Sequence, residues 1–79
     1  MNVEPKIAAI EPLLRAEGFS VSELCRTAEI SQATWVRWKQ GKPARGSAWR
    51  RIAPALTRLG IAGAAEIASR PFVEIERAA

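Results

Sequence analysis

The stretch SVSELCRTAEISQATWVRWKQGK, residues 20–42, decides how this chain is read. Ser20 and Glu23 have capping-box spacing, in which the serine hydroxyl and the glutamate satisfy each other's free amides at a helix start. The helix they open places Val21, Leu24, Cys25 and Ala28 at i, i+3, i+4 and i+7, a single narrow apolar stripe. Cys25 and Ala28 are small enough for another helix to approach closely, so Cys25 reads as packing rather than chemistry. Ile30 is a lone apolar residue in a short turn, and Ser31 is a good N-cap for a helix over 32–40 that ends at Gly41. At about 100° per residue, only Trp35 and Trp38 point to one side of that helix. Ala33, Val36, Arg37 and Gln40 fall on the opposite side, with Gln32 and Thr34 flanking them.

Two short, separately capped helices joined by about three residues meet the specification of a helix-turn-helix. The first presents small residues to its neighbour. The second is anchored by one or two apolar side chains and is otherwise free to enter a groove.

Outward from this stretch the chain continues as helices and turns. A first helix is expected over 5–17, with Ile7, Ile10, Leu13 and Leu14 on one side, Gly18 as a left-handed stop and Phe19 folding back onto Leu14. Pro12 predicts either a kink or two shorter helices. The loop 41–46 is rich in glycine, proline and positive charge. Ser47 is expected to cap a fourth helix carrying Trp49, Ile52, Ala53, Leu56 and Leu59, with Pro54 kinking or breaking it, Gly60 ending it and Ile61 returning onto Leu56. A short helix over 62–69 is stopped by Pro71, and the alternation at 73–76 suggests a short strand. The expected fold is all-α: one domain, 1–79, of four to five helices around a helix-turn-helix at 20–41, with 60–79 as a candidate dimerisation segment.

At 79 residues and 8.6 kDa, a lone core rarely yields more than about 3–5 kcal/mol. One cysteine cannot form an internal disulfide, the lack of both histidine and paired cysteines leaves no plausible zinc site, and the lack of histidine removes every histidine-based catalytic scheme. No metal, cofactor or small-molecule ligand is expected, and no enzyme. By elimination the expected staple is a second copy, a homodimer, with Leu59, Ile61, Ile67, Phe72, Val73 and Ile75 as interface candidates. No apolar run approaches the roughly 20 residues that span a bilayer and no signal-peptide core follows Met1, so the expected location is cytoplasmic, without a membrane partner.

The net charge is +4, but its distribution says more. Residues 30–65 hold seven basic side chains (Arg37, Lys39, Lys42, Arg45, Arg50, Arg51 and Arg58) and no acid, while the remainder sums to −3. Such segregation fits a polyanion; a solvated basic face is the plainer alternative, and it stays open for Arg51 and Arg58 in particular. Three tryptophans also raise base stacking on single strands, but all three lie on apolar stripes and read as core.

Residues 20–42 resemble the lambda-repressor-like, or Xre/Cro-type, helix-turn-helix regulators. Leu24, Cys25, Ala28, Ile30, Trp35 and Trp38 occupy that family's buried positions, Ser31 opens its recognition helix, and Trp38-Lys39-Gln40-Gly41 is similar to its usual exit. With the following loop and helix, the resemblance covers roughly half the chain. It departs at Val21, where the family often has a phosphate-touching glutamine, and at Cys25, where alanine is preferred. It departs again at Glu29, where glycine is usual, and at Trp35, which replaces a smaller aliphatic residue. The resemblance implies that Gln32, Ala33, Thr34 and Arg37 read base edges in double-stranded DNA. Ser31, Lys39, Gln40, Lys42, Arg45, Ser47 and Arg50 are the expected phosphate contacts. It further implies a dimeric repressor of a phage or mobile-element operon, acting on a pseudo-palindromic operator. Rival expectations are an antitoxin-like or adaptor protein and an excisionase-like DNA-bending factor.

Overall fold

The computed structural model describes residues 1–70. Helix α1 spans Glu4–Ala16, with Pro5 in its first turn, where a missing amide costs nothing. Pro12 neither breaks nor restarts it. Pro12 and Ala8, whose carbonyl Pro12 cannot serve, both lie on the exposed side of the helix. Val3, Ile7, Ile10 and Leu14 form the buried stripe. Leu13 does not belong to it: three residues past Ile10 it has drifted about 60° further round and is 37% exposed. Gly18 (φ 80°) ends the helix as expected, with Phe19 donating to the Leu14 carbonyl at 3.1 Å and Gly18 to Arg15 at 2.9 Å.

Helix α2, Val21–Ala28, opens on the reciprocal capping box: the Ser20 and Glu23 amides each donate to the other's side chain at 3.1 Å. Helix α3, Gln32–Lys39, opens on Ser31, whose hydroxyl accepts from the Thr34 amide at 3.1 Å. Between them Glu29 takes the left-handed conformation (φ 60°, ψ 44°), the cost expected of a non-glycine in this turn.

The fourth helix breaks, one of the two outcomes that Pro54 predicts, but it does so ahead of Pro54 and without the expected cap. It divides into a single turn, α4 (Gly46–Trp49), and α5 (Ile52–Arg58), which with α6 (Ala62–Ser69) makes six helical segments among the described residues. The break at Arg50 and Arg51 places Pro54 in the first turn of α5, where amides have no helical partner in any case. Ser47 caps nothing: Arg45 holds the extended N-cap position, and the Trp49 amide reaches the Arg45 carbonyl at 3.0 Å, so Ser47 falls inside the turn. Gly60 and Ile61 end α5 as expected, the Ile61 amide returning to the Leu56 carbonyl at 3.0 Å.

Helix α5 packs on α6 and α2, α6 on α1, and α3 on α1 and α2. The loop after α3 is tied to the chain's start by the Ala44 amide, 2.7 Å from the Met1 carbonyl. Buried Lys6 donates its ammonium to the Arg70 carbonyl, joining the first turn of α1 to the end of α6. All described elements are helical, and none is long and apolar enough to cross a membrane. The strand expected at 73–76, with Phe72, Val73 and Ile75, lies outside the described residues.

Candidate nucleic-acid interface

Helix α3 is held by its two indoles. Trp35 and Trp38 are 1% and 3% exposed. Their ring centroids lie 6.0 Å apart, and Trp38 meets Trp49 edge-on at 5.5 Å. A buried indole N–H needs an acceptor. Trp35 finds one in Glu11 of α1, 2.9 Å from its Nε1, and Trp49 donates to the Ala68 carbonyl at 3.2 Å. All three tryptophans are therefore core, which leaves none for base stacking.

With that edge pinned inward, Gln32, Ala33, Val36, Arg37 and Gln40 are exposed, and Thr34 is half-buried at the margin. The exposed groups are braced locally. Gln32 donates to the Ser22 hydroxyl of α2 at 3.1 Å, the Ser31 and Thr34 hydroxyls share a 2.8 Å bond, and Arg37 donates to Thr34 at 3.3 Å. Val36, 49% exposed, is an apolar residue in the middle of this polar face. The periodicity placed it there, and its side chain is open on the same face as Ala33 and Arg37.

Beside this face a cleft of about 410 Å³ is lined by Thr34, Arg37, Trp38, Pro43, Arg45 and Ala48. It brings Arg37 of α3 together with Arg45 of the following loop, so two expected contacts from different elements converge. Lys42, Ser47 and Arg50 are also exposed.

Lys39 is placed differently. It faces α1, where its ammonium pairs with Glu11 at 3.2 Å. Among the described residues it is the one basic side chain of 30–65 in an ion pair; the other six have no carboxylate partner there. Glu11 is the residue that sequence reasoning missed. The usable signal was a buried indole in α3 together with an acid at the edge of the apolar stripe of α1.

The interface candidates separate as well. Ile61 is 5% exposed and closes the chain's own core, so it has no surface to offer a partner. Leu59 and Ile67 pack on that core while remaining partly exposed. Comparison with known proteins finds no matching family model, no similar curated protein and no similar solved structure.

Proposed function

We propose that this protein binds double-stranded DNA in a sequence-selective way and acts as a transcriptional regulator, with α3 as the recognition helix. The observation that carries the reading is the division of α3: both indoles are sealed inside, while Gln32, Ala33 and Arg37 stand exposed, in a segment whose cations other than Lys39 have no carboxylate partner among the described residues. Arg37 has the fork to bond O6 and N7 of guanine together, Gln32 the amide to do the same at adenine, and Ala33 and the Thr34 methyl suit thymine. Lys42, Arg45, Ser47 and Arg50 hold the phosphates, which fixes register without reading sequence. Lys39 acts from behind, holding α3 to α1.

One such helix reads only a few base pairs. The proposed working form is therefore a dimer on a pseudo-palindrome with half-site centres about 34–36 Å apart, repressing an operon by occluding its promoter. Selection of bound sequences from a random duplex pool reports preference, symmetry and spacing together. Arg37→Ala is expected to lose about 1–3 kcal/mol of discrimination. Lys42→Ala is expected to weaken preferred and random duplexes alike and to lower the salt slope by about one. Equal losses on both kinds of duplex for the two variants would refute this division of labour.

A further inference from the structure

A second basic cleft lies on another part of the surface. About 350 Å³ in volume, it is lined by Thr27, Ala28 and Glu29 at the end of α2 and by Arg50, Arg51, Pro54, Ala55 and Arg58 around α5. It shares no residue with the cleft beside α3. Its buried lining residues are small, Ala28 and Ala55, and Pro54 is exposed beside them. Pro54, Ala55 and Arg58 follow Arg51 at three, four and seven positions, the spacing of one helix face.

The three arginines are exposed, and none has a carboxylate partner among the described residues. Arg51 donates from Nη1 to the main-chain carbonyl of Glu29 at 3.1 Å, which holds its guanidinium across from α2 and leaves its other N–H groups to solvent. Three guanidinium groups against the one carboxylate of Glu29 leave the cleft with a net positive charge, and a row of phosphates relieves the repulsion among the arginines while releasing the nucleic acid's own counterions.

We infer that this cleft is a further binding site for the phosphodiester backbone, which carries the contact from Arg50, at its edge, on to Arg51 and Arg58, away from the base-reading residues of α3. This rests on the DNA-binding reading and extends it: Arg51 and Arg58, whose role charge alone leaves open, become backbone contacts. The site carries affinity and salt dependence but no sequence preference, because guanidinium groups on phosphate oxygens are blind to the bases.

The test is binding of the full chain to one preferred and one random duplex across a salt series. Each phosphate contact contributes about 0.9 to the slope of log affinity against log salt. Arg51→Ala/Arg58→Ala is therefore expected to lower that slope by about 2, with the ratio between the two duplexes unchanged. Arg15→Ala/Arg70→Ala removes the same charge from side chains paired with Glu11 and Glu66 and is expected to leave the slope alone. A slope unchanged in the first variant, or lowered equally in the control, overturns the site. If the first variant keeps its duplex slope but loses binding to poly-glutamate, the cleft holds an acidic polypeptide and the inference is likewise overturned. A lowered slope in a protein with no sequence preference leaves this cleft standing and removes base reading from α3. An intact preference with an unchanged slope does the reverse. No binding of the unaltered chain to either duplex overturns both.

Discussion

The Glu11 carboxylate serves three partners: the Trp35 indole at 2.9 Å, Lys39 at 3.2 Å and, more distantly at 4.0 Å, Arg15. These contacts are unequal. The Lys39 and Arg15 side chains are 49% and 69% exposed, and ion pairs so open to water contribute about 0–1 kcal/mol. The indole N–H belongs to a buried ring and has nowhere else to go, so losing its acceptor costs about 1–3 kcal/mol. Glu11→Ala is therefore expected to lower the melting temperature by about 4–8 °C for each kcal/mol lost. Glu11→Gln keeps an oxygen for Trp35 and is expected to retain most of the stability, as thermal melts will show; equal losses for the two variants would make the ion pairs the stronger element. Periodicity revealed that Trp35 faces inward, because that follows from spacing alone. It did not reveal Glu11 as the partner, because a contact across 24 positions depends on how two helices are laid together.

At the scale of elements, caps were the legible part. Ser20 with Glu23, Ser31, Gly18 and Gly60 each act through bonds to residues three to five positions away, and such bonds are local enough to be written in sequence. The fourth helix was less legible because two signals competed. Ser47 is a good cap by type, but Arg45 takes the extended conformation first, and Pro54 then dictates where the chain restarts. The turn joining α2 to α3 offers a test. Glu29 holds φ 60°, a conformation that costs a side-chain-bearing residue roughly 1–2 kcal/mol, and its bond from Arg51 uses the main-chain carbonyl. Glu29→Gly removes the strain and keeps that bond. It is expected to stabilise the protein by about 1 kcal/mol, read as a higher urea midpoint at unchanged slope. A lower midpoint would mean that the carboxylate itself is needed in the cleft that Arg50, Arg51 and Arg58 line.

At the scale of the molecule, the helices close on one another through contacts that no local pattern announces. The Lys6 ammonium meets the Arg70 carbonyl across 64 positions, and Ile61, which looked available to a partner, is drawn into the core. Cys25 reports on this closure. It is a free thiol, 1% exposed, on a helix packed against both α3 and α5, and burial pushes its pKa above the ordinary value of 9.0. A reagent reaches it only when α2 lifts from α3 and α5, which in so small a core amounts to unfolding. Alkylation near pH 8 is therefore expected to be slow in buffer and to accelerate with urea along the global unfolding curve. Labelling in buffer as fast as in the unfolded chain would mean that α2 opens by itself. The same burial sets a pH dependence. Above pH 9 the unfolded thiol loses its proton while the folded one keeps it, so the unfolded state binds fewer protons and stability falls as pH rises. Other groups titrate in that range too, so the informative quantity is the difference from Cys25→Ala. The unaltered protein is expected to lose stability faster than that variant as pH rises above 9, and parallel melting curves would show that the thiol ionises as readily inside the fold as in water.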